Sequence, residues 1–328
     1  MQRGAKGKRA PVVVRQMITQ AFVLGAGLGL RLRPLTEELP KPLVPIFQKA
    51  LITFALDHLA AAGVRSFVIN THHLPEHFES FFGDGHYRQL PVRLVHEPLL
   101  LETGGGMKNA QPHLGTEPFI AYSGDVLTDL SLEPLIDEHL RSGNDVTLAL
   151  RETGLASNVA FRDRRIVDIG NRYGYPGNFD YANISVWNPQ IFERIPPGKK
   201  ISFIPILGEW IGAGGKIGGV VLNEGHWFNL GSPAEYLTVH RTIHGGWRPA
   251  YVRAPEWPLR IAPDAAIDPS AQVRGCSWIG AGGNVGAGAL IDDSILWTGA
   301  QTASHSRLKD CIVRADRQAE GVLTGAVI

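Results

Sequence analysis

The chain has 328 residues, 44% of them apolar, 19% charged and 8% aromatic, with 32 basic against 31 acidic side chains. That length suggests about two domains, and the apolar share excludes general disorder. A net charge of +1 gives no whole-chain attraction to nucleic acid or to a membrane surface. The departure is glycine: 38 residues, against an average share of roughly 7%. Without a Gly-X-Y period they belong to glycine loops, to a turn-rich repeat, or to both. Cys276 and Cys311 are too few for a disulfide framework or a cysteine zinc site. They are expected as reduced, buried thiols of a cytoplasmic protein. No stretch reaches the ~18 consecutive apolar residues of a membrane span.

Residues 1–16 carry Arg3, Lys6, Lys8, Arg9 and Arg15 with no acid. Their apolar run at 12–14 is too short for the core of a signal peptide, so the stretch reads as a disordered basic arm, or as sequence upstream of a start at Met17. From 17 to 246 short apolar runs alternate with amphipathic ones. Strands are expected at 21–25, 66–70, 92–95, 118–122 and 145–150. Helices are expected at 49–62 (apolar face Leu51, Phe54, Ala55, Leu59 and Ala62), near 75–82, from Gly106 onward, and near 131–141. Less regular strands follow at 182–187 and 216–222, with a helix at 233–243. Alternation of this kind argues an α/β fold, a doubly wound, mostly parallel, Rossmann-like sheet. Ligands of such sheets bind beyond the carboxyl ends of the strands, which here carry 25–33, 70–73, 97–106 and 123–125.

Segment 247–260, with Pro249, Pro255 and Pro258, reads as a linker. Beyond it the period changes. Ile261, Ile267, Val273, Ile279, Val285 and Ile291 recur at a strict spacing of six, with turn formers between them. A hexapeptide repeat builds a parallel β-helix, here over 261–328 and fewer than four coils. The cadence blurs after Trp297, although Ile295 and Val313 lie 18 apart, one full coil of three repeats. The apolar row needs covering at its last coil, which suggests a homo-oligomer through this domain.

Four segments carry chemistry. The first is Leu24-Gly-Ala-Gly-Leu-Gly-Leu-Arg-Leu-Arg-Pro-Leu-Thr36, followed by Pro40-Lys-Pro42. A glycine loop after the first strand lets backbone N–H groups approach phosphates, and Arg31, Arg33 and Lys41 add charge. A dinucleotide fingerprint would need glycine or alanine where Leu30 stands, and an acid after the second strand, where Asn70, His72 and His73 are found. A Walker A loop is excluded by spacing. The second segment ends in Gly124 and Asp125 after an apolar strand, a placement that suits magnesium. Asp129 is expected to cap the helix that follows. The third is Gly225-His-Trp-Phe-Asn-Leu-Gly-Ser-Pro233. The fourth, 97–106, ends in three glycines, and Glu97 or Glu102 could accept from guanine. His72, His73 and His77 lack the geometry of a metal site and read as loop histidines.

The first segment resembles the signature of the sugar-1-phosphate nucleotidyltransferases, the nucleotide-sugar pyrophosphorylases, roughly L-A-x-G-x-G-T-R-L-x-P-L-T and then P-K-P. The resemblance runs over 20–245. The terminal repeat resembles the left-handed β-helix of mannose-1-phosphate guanylyltransferase-like and glucose-1-phosphate adenylyltransferase-like members. Glu102-Thr-Gly-Gly-Gly106 resembles N-acetylmuramate-1-phosphate uridylyltransferase-like members. It implies transfer of a nucleotidyl group from GTP or UTP to a sugar 1-phosphate, with mannose 1-phosphate and GTP as the leading pair. Other uridylyltransferases, or a catalytically weak regulatory paralogue, are the alternatives.

Arg31 and Lys41 would be catalytic. Leu24, Ala26, Gly27, Gly29, Leu30, Gly104 and Gly105 would hold the nucleotide, and Gly124 and Asn183 the sugar phosphate. Asp125 and Asn229 would hold Mg²⁺. The family has threonine at Leu30 and aspartate at Asn229. Tyr181-Ala-Asn-Ile184 replaces its Y-x-G-I. Its sugar-phosphate lysine has no clear counterpart, so Lys199, Lys200 and Arg172 stand as candidates. An acyltransferase in the repeat, with His305 as base, is disfavoured by the small number of coils.

Overall fold

A computed structural model describes residues 17–154 and 157–328; the basic arm expected at 1–16 lies outside the described residues. The large sheet is built from β1 (Gln20–Leu24), β2 (Ser66–Thr71), β3 (Leu90–His96), β4 (Phe119–Ser123), β5 (Val146–Arg151), β6 (Asp180–Trp187) and β7 (Ile217–Val221). They lie in the order β3-β2-β1-β4-β6-β5-β7, and short strands extend both edges. β1 is parallel to both β2 and β4, while β6 runs antiparallel to its two neighbours. The chain therefore turns in opposite directions on the two sides of β1, and a crevice opens beyond the carboxyl ends of β1 and β4.

Six α-helices are present among the described residues: α1 (Ile52–Ala61), α2 (Pro75–Phe81), α3 (Glu102–Ala110), α4 (Glu133–Ser142) and α5 (Phe203–Gly212), which flank the sheet, and α6 (Pro233–His244). One core lies between the sheet and α1, with Ile52, Leu56, Ile69 and Tyr122. A second lies on the opposite face, with Phe22, Met107, Trp187 and Leu207. Most elements start within a few residues of expectation. The exception is α3, which begins at Glu102 rather than Gly106 and takes the glycine triplet into its first turns. Glycine disfavours helix, but packing decides here: a Cβ on Gly104 or Gly105 would run into the backbone of 199–203.

Beyond residue 260 three parallel sheets of four, four and three short strands form a triangular β-helix. Ile267 pairs with Val285 and Val273 with Ile291, 18 residues on, as the repeat predicts. The next coil is one residue shorter. Ile291 pairs with Leu308, and Leu296 with Val313, whereas Ile295 pairs with Ile312. The expected pairing of Ile295 with Val313 is thus off by one, and this deletion is what blurs the hexad. Each coil turns one corner through a left-handed residue, at Gly282, Gly299 and Asp316 in succession, which accounts for part of the glycine excess. His305 is itself such a corner residue (φ 61°), set over Gly288; this is a turn position, not the setting of a general base. Cys276 and Cys311 are buried and free.

Segment 247–260 departs most from expectation: it is packed, not a free linker. Trp247 donates its indole N–H to Asp129 (2.8 Å), Tyr251 donates to the Thr128 carbonyl (2.7 Å), and buried Trp257 donates to the Ile46 carbonyl (3.1 Å). The indoles supply both the apolar area and the donors needed to dock an irregular segment. A third core joins the two parts of the molecule. It contains Leu32 and Leu35, Ile46 and Phe47, Tyr236 of α6, Trp257, and Trp278, Trp297 and Ile312 from one face of the β-helix. Trp297 donates to the Tyr236 hydroxyl, which donates to the Pro45 carbonyl. That apolar face is covered within the chain. Val327 bridges Ile312 and so belongs to the last coil, whose strand at 322–324 stacks on 307–309 and leaves Val322 exposed.

His240 of α6 is fully buried in this third core. It accepts from the Phe47 N–H (3.1 Å) and donates from Nδ1 to the Tyr236 carbonyl (3.0 Å), which requires the neutral ring. Burial lowers its pKa from 6.5 to about 4, and does the same at His58. The unfolded chain therefore takes up these protons first, so their contribution to stability is complete above pH 6.5 and is lost as pH falls towards 4. Each ring adds about 1.4 kcal/mol per pH unit to that slope. His240→Gln is expected to reduce the slope by about that amount in urea titrations between about pH 6 and 4.5; an unchanged slope would contradict a neutral, buried His240.

Candidate functional site

Two adjoining cavities, of about 410 and 340 Å³, open at the carboxyl ends of β1 and β4. Gly27, Lys41 and Asp125 line both. The larger is completed by Leu24, Ala26, Asn70, Glu102, Thr103 and Ser202, the smaller by Gly29, Leu30, Arg31 and Gly231. The glycine loop, the end of β4 and the start of α3, which the sequence keeps far apart, therefore share one crevice.

The loop after β1 takes its shape from local constraints. Gly29 has φ 62°, and a Cβ there would lie 2.8 Å from the Thr36 methyl group, so only glycine fits. It opens a 3₁₀ turn, Leu30–Leu32, that leaves Leu30 and Arg31 exposed and buries Leu32. Gly27 has nothing within 4 Å of a notional Cβ, so its bare backbone faces open space. A second 3₁₀ turn, Lys41–Leu43, is flanked by Pro40 and Pro42, whose rings restrict φ. It buries Lys41 and directs its ammonium onto the Asp125 carboxylate at 2.5 Å. Gly124, just before Asp125, donates its N–H to the Leu24 carbonyl (2.9 Å). A Cβ on Gly124 would lie 2.9 Å from that same carbonyl oxygen.

Sequence reasoning missed the residues that tie these loops together. Asn70, at the end of β2, accepts from the Gly25 N–H (2.8 Å) and donates to Glu97 (2.7 Å). The other oxygen of Glu97 accepts from the Leu101 N–H (2.9 Å), and the side chain is completely buried. Glu97 is therefore corrected from base-binding candidate to structural acceptor, because both its oxygens are engaged inside the protein. Glu102 stays exposed at the rim, 3.8 Å from Lys200. Gly104 and Gly105 are corrected too. Their N–H groups both donate to the Ile201 carbonyl (2.9 Å), and neither residue lines the cavities. Their role is to let the 199–203 segment cross closely, which brings Ser202 into the wall.

His72 and His73 prove to be loop ties, to the carbonyls of Glu97 and Thr36 respectively (2.7 Å each). Asp129 does not cap a helix; it accepts from the His226 N–H and from Trp247. Asn183 has φ 61° at a break in β6 register, where asparagine is the non-glycine residue best suited, and it lies outside both cavity walls. Of the three candidate cations, Lys200 is the one at the rim, whereas Arg172 pairs with Glu209 on α5 and Lys199 presents its carbonyl to Gly105.

A short antiparallel strand pair places the third segment. Trp227–Asn229 runs antiparallel to Val126–Thr128, setting Asn229 opposite Val126 and so beside Asp125. Ser232 then caps α6: it accepts from the Glu235 N–H (3.2 Å), while the Glu235 carboxylate reaches back to accept from the Gly231 N–H (2.6 Å), the residue before the cap. The exposed Arg31 guanidinium lies over Gly231 and has no ion-pair partner among the described residues. Asp125 lines both cavities, and Asn229, which lines neither, stands opposite its neighbour Val126; together they would offer a carboxylate and an amide oxygen. That donor set fits a hard divalent cation such as Mg²⁺, with one carboxylate where two are common.

Comparison with known proteins bears on what such a crevice does. The family model described as Nucleotidyl transferase matches residues 20–162. The chain is 30% identical to a mannose-1-phosphate guanylyltransferase of Mycobacterium tuberculosis, over 86% of this chain and 80% of that protein. It is 31% identical to an N-acetylmuramate alpha-1-phosphate uridylyltransferase of Neisseria meningitidis, over 70% of this chain and all of that one. Among solved structures, an inositol-1-phosphate CTP transferase from T. maritima superposes with a TM-score of 0.55 at 21% identity, covering 67% of this chain and 92% of that one. A putative glucose-1-phosphate thymidylyltransferase from Bacillus anthracis gives 0.60 at 16% identity, over 68% and 93%. At these identities the two structures speak for the fold alone.

Proposed function

The chain belongs to the sugar-1-phosphate nucleotidyltransferases, and from that premise we propose that it transfers the guanylyl group of GTP to mannose 1-phosphate, releasing pyrophosphate. The observation that carries the site assignment is the Lys41–Asp125 pair at 2.5 Å, in the wall shared by both cavities. The choice of guanine rests on Glu102. An exposed carboxylate at the rim can accept from both N1–H and the 2-amino group of guanine, whereas uracil offers one such donor between two carbonyls that a carboxylate repels. The similarity to the guanylyltransferase also extends over more of this chain than that to the uridylyltransferase. The second reading, N-acetylmuramate 1-phosphate with UTP, is favoured by the match to that whole relative.

In this reading an oxygen of the sugar phosphate attacks the α-phosphorus in line, and the bond to the β-phosphate breaks as pyrophosphate leaves with the electron pair. Such a displacement needs positioning and charge stabilisation more than covalent help. The backbone of residues 27–30 lines the path of the triphosphate, and Leu24 and Ala26 floor the nucleotide. Arg31, exposed and without an ion-pair partner among the described residues, takes up the charge that develops on the leaving group. Lys41 exchanges its contact with Asp125 for the α-phosphate and the incoming phosphate. Asp125 and Asn229 would hold Mg²⁺, which when bound neutralises phosphate charge.

A pyrophosphate-release panel crossing four NTPs with mannose, glucose, N-acetylglucosamine and N-acetylmuramate 1-phosphates tests the pair. GTP with mannose 1-phosphate is expected to lead, and a lead for UTP would establish the second reading. Arg31→Ala should lower kcat by about a hundredfold or more with little change in the sugar-phosphate KM; an unchanged kcat removes Arg31 from this role. Glu102→Gln should cut the preference for GTP over UTP by about tenfold, and an unaltered ratio would show that another group reads the base. Asn229→Asp should lower the Mg²⁺ concentration for half-maximal activity by about tenfold, since it adds a charge to the donor set. No shift in that titration would mean Asn229 is not a ligand.

A further inference from the structure

We propose that the β-helix is a brace for the catalytic loop, with Arg314 as its positioning residue. The loop between the two 3₁₀ turns, residues 33–40, joins Arg31 to Lys41, so its placement sets both cations relative to Asp125. Its hydrogen bonds to the α/β part converge on Thr36, whose hydroxyl donates to the Gly29 carbonyl (2.9 Å) and whose carbonyl accepts from His73 (2.7 Å). Among the described residues its other side-chain hydrogen bonds come from residues some 280 positions away in sequence, while Leu35 packs in a core with Phe47, Phe54 and Tyr236.

Arg314 donates Nη1 to the Pro34 carbonyl (3.3 Å), lies 3.2 Å from the Glu38 carboxylate and 3.5 Å from that of Glu37, and is only 14% exposed at its side chain. Its Nε donates to the Ile328 carbonyl (3.1 Å), and Ile328 in turn donates its N–H to Ile312 (2.9 Å). The guanidinium thus links the loop to the last coil at a carbonyl and two carboxylates at once. Arg317 adds a second bond to Glu38. Beneath these contacts Leu32 and Leu35 are buried in the core that holds Trp297 and Ile312.

Isolated exposed ion pairs hold little. A largely buried guanidinium bonded to a backbone carbonyl and to charged acceptors holds more. Two carboxylates in succession beside a phosphate-binding loop would otherwise repel an anionic substrate, and pairing them with Arg314 and Arg317 screens that repulsion.

The inference rests on the assignment of Arg31 and Lys41 above, and hydrogen exchange tests the brace separately from it. In full-length Arg314→Ala the amides of residues 35–39 should exchange about tenfold faster, with strand Phe119–Ser123 unchanged. Its kcat should fall about tenfold, as misplacement of charged groups entails, and Arg314→Lys should recover part of both. The double variant Glu37→Gln, Glu38→Gln, altered at surface positions, should move exchange in the same direction to a smaller degree. Unchanged exchange at 35–39 in both variants overturns the brace, and faster exchange with unchanged kcat overturns its positioning role. Full activity in Arg31→Ala alongside faster exchange in Arg314→Ala would leave the brace standing and refute the assignment of Arg31.

Discussion

The arrangement of the crevice depends on satisfying two polar side chains where three strands end. Asn70 and Glu97 sit almost without exposure at the carboxyl ends of β2 and β3. Burying an amide and a carboxylate is tolerable only if their hydrogen bonds are met. They are met by the Gly25 N–H, by each other and by the Leu101 N–H. One network therefore locks the glycine loop, the end of β2 and the entry to α3 in a single relative position. Gly106 lies against it so closely that a Cβ there would be 2.4 Å from Glu97.

On that frame the reactive groups are few. The net charge of +1 conceals a local arrangement in which Lys41 is buried against Asp125 and Arg31 is left exposed at the cavity wall. A buried lysine on a carboxylate is a poised arrangement: the pair satisfies itself in the absence of ligand, and phosphate oxygens offer the ammonium an alternative acceptor of the same sign. An anionic substrate needs no bulk positive charge when a few cations are placed at the phosphates.

The β-helix is integrated with this machinery rather than appended to it. Its tryptophan-bearing face shares a core with the loop after β1, the Pro45–Ile46 strand and α6. The segment expected to be a linker is part of the same core through Trp257. The face of the β-helix that bears Trp278 and Trp297 is buried within the chain.

Much was legible in the one-dimensional pattern, because it depends on local periodicity and local stereochemistry. The α/β alternation, the hexad through Ile291 and the proline-flanked Lys41 can all be read from neighbouring residues. The carboxylate after β4 follows from the rule that strand ends carry the site. What only the tertiary structure decided concerns partners distant in sequence. Glu97 and Glu102 are equivalent in the string; burial against Asn70 makes one structural and exposure at the rim leaves the other available. Gly104 and Gly105 look like a ligand cradle until the backbone of 199–203 is found lying across them. The shortened coil after Ile291, the packed segment 247–260 and the contact of Arg314 with the catalytic loop have the same origin. A buried polar or apolar group is defined by whatever fold-distant partner satisfies it, and sequence spacing carries no record of that partner.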